Sequence, residues 1–307
     1  MIVAAGLTPA WQQILSFRHF HPGEVNRAEA AHWCASGKAV NVATAIRHLG
    51  GDAILLSPRG GTVGTLLSED CNRLGVAARW IDTTASARVC TTILDQTTGS
   101  TTELVENAAP LTSAELAAFI EATRQASRTA DVMVLSGSLT SGAPATVYRD
   151  ILDGYPGRAI VDARGDELQA ALAHRPFLIK PNREELARTV GRTLADEAAV
   201  WQAMDEVRAR GASWVVVSAG PGAMLIASPE GRYRLQPPPA PVVNPIGCGD
   251  CLAAGIAWSL SLGSTALEAI RHGIGAAADN LGRLLPARLN ADRVRHFASQ
   301  ATIERVG

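Results

Sequence analysis

The stretch Asn244-Pro-Ile-Gly-Cys-Gly-Asp-Cys-Leu-Ala-Ala-Gly255 decides how this chain is read. Pro245 punctuates a loop, and Gly247 and Gly249 let the backbone approach another group closely. A helix of small residues then begins around Asp250. The first N–H groups of a helix have no partner inside it and attract anions. An aspartate at that place repels a phosphate. The conflict disappears if Asp250 serves as a base while the neighbouring amides of Gly247, Cys248 and Gly249 stabilise a transferring phosphoryl group. An acid that merely stabilises the start of its own helix is the other reading. Local physics leaves both open.

Outward from this stretch, short apolar runs alternate with helix-length amphipathic segments. The strand candidates are Met1–Ala5, Ala53–Ser57, Val132–Leu135, Ala159–Asp162, Phe177–Lys180, Trp214–Ser218 and Met224–Ala227. Most are apolar on consecutive positions, as strands covered on both faces should be. Between them, Val42, Ile46 and Leu49 share one helical face, as do Val200, Met204 and Val207. Thr112 or Ser113 is placed to cap a helix beginning near Ala114. The pattern predicts a three-layer α/β/α core with a mainly parallel sheet. Residues 10–34 and 86–107 break the rhythm with Thr and β-branched residues, and Thr98–Gly99–Ser100 signals a hairpin turn. They are expected to form a small β-sheet lid over a core of residues 1–9, 35–85 and 108–307. An extra edge hairpin is the blander possibility. From about Gly247 onward the chain reads as helical, with Pro286 as a break.

With 47% hydrophobic and 19% charged residues in 307, the chain has the composition of an ordinary globular enzyme. A formal net charge of −1 provides no long-range field for nucleic acid or an acidic membrane, and neither is expected as a partner. The amino terminus has no basic leader, and no apolar run approaches the roughly 20 residues needed to cross a bilayer. Five scattered cysteines do not make a disulfide framework, so a cytoplasmic protein with reduced thiols is expected.

Gly247-Cys-Gly-Asp250 resembles the G-A-G-D signature of ribokinase-like, PfkB-type carbohydrate kinases, with Cys248 in place of the usual alanine. Ala35-Ser-Gly-Lys-Ala-Val-Asn-Val-Ala43 is similar to that family's A-G-G-K-G-x-N-V-A motif. Gly23-Glu-Val-Asn-Arg27 and Ser136-Gly-Ser-Leu-Thr-Ser-Gly142 look like the branch containing 1-phosphofructokinase and tagatose-6-phosphate kinase. Lys180-Pro-Asn-Arg-Glu-Glu185 carries the N-x-x-E element. The motifs occur in the family's order over essentially the whole chain. The resemblance implies a kinase that transfers the γ-phosphoryl group of ATP, with Mg²⁺, to a hydroxyl of a sugar or sugar phosphate. Asp250 would be its catalytic base.

The resemblance also implies roles for other residues. Gly37, Lys38 and Asn41 would contact sugar hydroxyls or the substrate's phosphate, and Gln12 would stand where the family binds sugar hydroxyls with an aspartate. Arg88 and Ser138 match positions that grip an existing phosphate, a task suited to a guanidinium fork, and Arg27 is a further candidate, reaching a phosphate across a dimer. Lys180, Asn182 and Glu185 would lie by the Mg²⁺–phosphate network, with Glu185 acting through water, which suits magnesium. Without the family context, Asn182 and Glu185 read as a helix cap and a first-turn acid. Ser218-Ala-Gly-Pro-Gly222 looks like the nucleotide loop S-L-G-x-x-G shortened by one residue, placing Ser218, Gly220 and Gly222 at the nucleotide. Asn280 would neighbour the adenine. A homodimer paired through the lid goes with the same resemblance.

Several positions depart from the pattern. Gln12 replaces the acid, which removes a charge and adds two donors. Trp11 adds bulk that could stack on a sugar face, and Thr92 stands where the branch often has lysine. Ser36 and Ala39 replace glycines and should narrow the cleft. These changes keep a kinase of an unphosphorylated sugar or nucleoside as an alternative, and beside it a non-catalytic sugar- or nucleotide-binding regulator. Cys248-Gly-Asp-Cys251 fits C-x-x-C but has no companion ligands for zinc. A helix start lowers a thiol pKa, so Cys248 is expected to be oxidisable by peroxide. Gly273-Ile-Gly-Ala-Ala-Ala278 imitates a dinucleotide fingerprint within a helical pattern and reads as close helix packing.

Overall fold

The chain opens with β1 (Ile2–Ala5), makes an antiparallel pair from β2 (Ala10–Phe17) and β3 (Ala30–Ser36), then runs through α1 (Lys38–His48), β4 (Ala53–Arg59), α2 (Gly61–Arg73) and β5 (Ala77–Asp82). The hairpin of β6 (Arg88–Asp95) and β7 (Thr101–Val105) follows. Alternation resumes with α3 (Ser113–Ser127), β8 (Val132–Ser136), α4 (Val147–Leu152), β9 (Arg158–Asp162), α5 (Gly165–Leu172) and β10 (Leu178–Ile179). After α6 (Arg183–Val190), α7 (Glu197–Ala209) and β11 (Trp214–Val217) come β12 (Met224–Ser228) and β13 (Gly231–Gln236). The chain closes with α8 (Cys248–Ser261), α9 (Ala266–Leu281), α10 (Ala291–Gln300) and β14 (Thr302–Val306). This is a computed structural model, and it describes residues 1–306.

A ten-stranded sheet has the order β14-β13-β12-β11-β10-β9-β8-β1-β4-β5. From β5 across to β11 every pairing is parallel, and β12 to β14 extend the sheet antiparallel. Strand alternation divides the apolar runs between two cores. Ile2 and Ala4 of β1 and Val132 and Val134 of β8 pack with Val42, Ile46, Ile256 and Ile270 from α1, α8 and α9. Val3, Ala5, Met133 and Leu135 face the other way, against Phe119, Ile151, Leu168 and Met204 from α3, α4, α5 and α7. Each of the larger side chains contributes about 1.5–3 kcal/mol on burial, and because both faces are covered the runs are continuous rather than alternating. The expected three layers are present.

The predicted helical faces are the buried faces of α1 and α7. Thr112, not Ser113, caps α3, in a reciprocal box with Glu115. Gly255 and Gly273 bring α8 and α9 together; a Cβ on Gly255 would lie 2.8 Å from the Gly273 Cα. The glycine run of α9 is therefore helix packing. Three strands escaped the sequence reading: β5, β13 and β14. The last corrects the expectation of helix to the chain's end, since the free edge of β13 offers Thr302–Val306 a ladder that no local pattern announces. The Phe177–Lys180 candidate is a strand only over Leu178–Ile179.

The two Thr-rich segments form a separate four-stranded sheet, β3-β2-β6-β7, with β2 and β6 parallel at its centre. Thr98–Gly99–Ser100 lies in the β6–β7 turn, as expected. Among the described residues no helix is long and apolar enough to cross a membrane.

Candidate active site

The carboxyl ends of the central parallel strands, where ligands of open α/β sheets bind, open beneath the second sheet. The cleft has a volume of about 350 Å³. Lys38, Asn41, Asp162, Lys180, Asn182, Glu185, Ser218 and the segment Pro245–Asp250 line it from the large sheet's side. Gln12, Arg88, Cys90, Glu103 and Val105 line it from the second sheet.

Helix α8 begins in this cleft. Its N-cap, Gly247, has φ +80°, a left-handed backbone that disfavours a side chain, and a Cβ there would press on Pro286 at 3.0 Å. Three residues later Asp250 is buried, and its Oδ2 accepts a hydrogen bond from Asn41 Nδ2 at 2.7 Å. Asn41 is oriented in turn by Ser36, whose Oγ donates to Asn41 Oδ1 at 3.1 Å. Burial pushes the Asp250 carboxyl above the ordinary carboxylate range, against the pull of Lys38 and of the Asn41 bond. A carboxylate so raised is a better proton acceptor than a solvated one. Gly37, the N-cap of α1 with φ +100°, sets Lys38 at the mouth of the same helix.

Asp162, at the end of β9, is the site residue that sequence reasoning missed. It is buried, with Lys38 Nζ at 3.3 Å and Lys180 Nζ at 3.4 Å, and Ser136 Oγ donates to it at 3.4 Å. Burial alone would raise its pKa, but the two ammonium groups outweigh that and hold it below the usual range. The same carboxylates act on Lys38: burial would lower it, yet Asp162, Asp250 and Glu185 together keep it firmly charged. The available signal was an acid closing an apolar run, Arg158-Ala-Ile-Val-Asp162.

Asn182 caps α6 and Glu185 completes a capping box: Asn182 Oδ1 accepts from the Glu185 N–H at 2.8 Å and Glu185 Oε2 from the Asn182 N–H at 2.9 Å. Both still line the cleft. Lys180 points toward the first turn of α8; a Cβ on Gly249 would lie 3.4 Å from its Nζ. Ser138 lies in an adjoining pocket with Lys38, Asp162 and Glu185. Arg88 donates to the carbonyls of Glu106 and Thr8, each at 3.1 Å. Gln12 Nε2 donates to Thr92 Oγ1 at 2.8 Å, so two of the departures from the family pattern are bonded to each other.

Other candidates lie elsewhere. Asn280, expected beside adenine, does not line the cleft. It is wholly buried, its Nδ2 donating to the Ile246 carbonyl at 2.8 Å and its Oδ1 accepting from the Ala287 N–H at 2.7 Å, so it braces the loop before α8. Gly220 and Gly222 form an exposed turn outside the cleft lining, with only Ser218 of that loop inside it. Trp11 points to the opposite face of β2 from Gln12 and stacks on Trp33, ring centroids 6.2 Å apart, so it offers no sugar platform. Ala39 packs against Gly6 in the core; only Ser36 of the two glycine replacements reaches the cleft. Arg27 sits on an exposed loop. Burial drives the Cys248 thiol up to about 11, with the Asp250 charge adding to the rise, which removes the basis for expecting a reactive thiolate. Among the described residues no cluster of three or more His, Cys, Asp or Glu is placed to hold a metal ion unaided.

The sequence pattern of the pfkB family of carbohydrate kinases matches residues 2–286. The chain is 32% identical over 300 residues to the ATP-dependent 6-phosphofructokinase isozyme 2 of Mycobacterium tuberculosis, covering 96% of this chain and 88% of that one. It superposes on phosphofructokinase-2 of Escherichia coli, solved in a tetrameric inhibited form, with a TM-score of 0.88 at 27% identity over 97% of this chain and 98% of the other. A Thermotoga maritima protein described as a possible 1-phosphofructokinase shares the fold at a TM-score of 0.91 and 19% identity, with both chains covered completely. The family match over most of the chain and the likeness to these relatives give one conclusion: the chain belongs to the pfkB family of carbohydrate kinases, phosphotransferases whose acceptor is an alcohol group.

Proposed function

We propose that the chain is an ATP-dependent kinase of a sugar phosphate of the phosphofructokinase kind, with Asp250 as the base for the accepting hydroxyl. The observation that carries this reading is the Asp250 carboxylate, held by Asn41 at 2.7 Å where the unpaired amides of α8 begin. In this reading Asp250 takes the hydroxyl proton, and the amides from Gly247 to Asp250 face the charge that grows on the transferring group. Lys180, Asn182, Glu185 and Ser218 line the nucleotide side. Gln12, Gly37, Lys38, Asn41, Arg88 and Ser138 line the acceptor side.

The donor set suits Mg²⁺ held partly through water: Glu185 offers a carboxylate oxygen to the cleft, while both oxygens of Asp162 face lysine ammonium groups. When bound, the ion neutralises phosphate charge. The four-stranded sheet serves as a lid whose closure excludes water. Five free cysteines, four of them buried, fit a reducing cytoplasmic setting.

The phosphorylated acceptor is argued from the relatives, which are phosphofructokinases, and from the cations Lys38, Arg88 and Lys180 in the cleft. One observation favours an unphosphorylated sugar: Thr92 is fully buried and bonded to Gln12, so that strand contributes no lysine. ADP release over a panel decides between them. Fructose 6-phosphate, fructose 1-phosphate and tagatose 6-phosphate are compared with the free sugars. At least one phosphate ester is expected to turn over with a higher kcat/KM than every free sugar. Faster turnover of a free sugar moves the assignment to the other class, and ligand binding without any turnover makes the protein a regulator.

The lid is also the proposed dimer surface. Trp33 and Leu104 occupy one cross-strand row with Gln13 and Thr91, on the face away from Gln12, and both are exposed large apolar side chains. Large apolar side chains exposed on one sheet face favour association. Sedimentation of the parent is expected to give a dimer, or a multiple of one, and Trp33→Glu with Leu104→Glu a smaller species. A monomeric parent at micromolar concentration removes the idea.

A further inference from the structure

The acceptor cleft continues, past Lys38 and Asp162, into a smaller pocket lined also by Ser138, Glu185 and Arg164. Four cationic side chains line the two spaces, and three are already engaged. Lys38 and Lys180 both pair with Asp162, and Arg88 donates to two backbone carbonyls. Arg164 alone among the four has neither an ion pair nor a hydrogen-bond acceptor, although Asp166 and Glu167 stand in the first turn of the helix it precedes. Its backbone is nevertheless fixed. It is the extended N-cap residue of α5 (φ −140°, ψ 165°), and the adjacent Gly165 N–H donates to Thr189 Oγ1 at 3.1 Å.

Charge separates this arginine from an ordinary surface residue. Of the smaller pocket's own lining, Lys38 offsets only one of the two carboxylates, Asp162 and Glu185, so without Arg164 the pocket is net negative. Arg164 brings it to neutrality and adds a planar fork of donors to the pocket that holds the Ser138 hydroxyl, so a phosphate dianion meets there a cation not already engaged. The buried Thr92 adds no cation from the second sheet.

We propose that Arg164 is a specificity-determining residue that holds the phosphate already present on the acceptor, an inference that rests on the sugar-phosphate reading above. Arg164 then distinguishes phosphorylated from free sugars, while Asp250 performs the same proton transfer on both.

The test is steady-state kinetics of Arg164→Ala and Arg164→Lys, using whichever of fructose 6-phosphate, fructose 1-phosphate and tagatose 6-phosphate the parent turns over fastest, with the matching free sugar as control. For Arg164→Ala the KM for the phosphate ester is expected to rise about tenfold or more, as loss of a charge-assisted contact requires. The KM for ATP and the kcat/KM for the free sugar should be unchanged, and Arg164→Lys should recover part of the loss. Arg164 is exposed, so melting temperature should match the parent and exclude misfolding. An unchanged KM for the ester overturns the inference but leaves the sugar-phosphate reading standing, and so does a rise in the KM for ATP instead. A parent that prefers the free sugar overturns both.

Discussion

Asp250→Ala lowers kcat by roughly two to four orders of magnitude, the range that a positioned general base contributes, while the KM for ATP changes little. The expectation follows from position. The carboxylate is buried, bonded to Asn41 at 2.7 Å, and set in the first turn of α8, so removing it takes away the proton acceptor and leaves the amides in place. Single-turnover assays of Asp250→Ala and Asp250→Asn against the parent check this, and a variant phosphorylating at the parent rate refutes the mechanism.

The pH profile sharpens the point. Burial raises the Asp250 carboxyl above its ordinary value of 3.8, so the acid limb of kcat/KM should lie above that value and vanish with Asp250. A raised folded-state pKa also means that ionising this group costs stability. The cost is absent at low pH and appears as pH rises through the unfolded and then the folded pKa. At neutral pH, Asp250→Asn should therefore melt no lower than the parent. Loss of activity at retained or increased stability is the signature of a group kept for chemistry.

Asp162→Ala should have the largest effect on stability of any substitution in the cleft, about 3–5 kcal/mol, because it leaves Lys180 buried without its counter-ion. The Lys180 side chain is only 6% exposed, so water cannot replace the lost carboxylate. In a chain of this size that loss corresponds to a fall in melting temperature on the order of 10 °C. Lys180→Met in the Asp162→Ala background should recover part of the fall, since it removes the stranded charge. Thermal melts of the single and double variants measure both effects; a single variant that melts with the parent shows that the pair contributes nothing.

Asp162 responds to pH in the opposite sense from Asp250. Its carboxyl is held below the ordinary range by Lys180 and Lys38 in spite of burial. Its contribution is fully present above the unfolded value of 3.8 and is lost as pH falls through the lower folded value. Two aspartates lining one cleft are thus driven apart: burial prevails at Asp250, and the two lysine charges prevail at Asp162. The divergence separates a structural anion from a base.

Much of this molecule is written locally. Continuous apolar runs such as Ile2-Val-Ala-Ala5 and Trp214-Val-Val-Val217 can satisfy their side chains only between two helical layers, so the sequence alone announces the central sheet. Thr112 with Glu115 and Asn182 with Glu185 mark helix starts through contacts three residues apart, and Gly247 declares a left-handed turn ahead of Asp250. Those signals are short-range and survive in the unfolded chain. Other features exist only once distant segments meet. Asp162 acquires its role from lysines 124 and 18 positions away, Asn280 is claimed by Ile246 and Ala287, and β14 is a strand because β13 presents an open edge. Cys248 loses its expected reactivity through burial, which no helix-start argument contains. Hydrogen bonds and charges across the fold depend on which groups lose water together, and the order of residues along a chain does not specify that until packing has decided it.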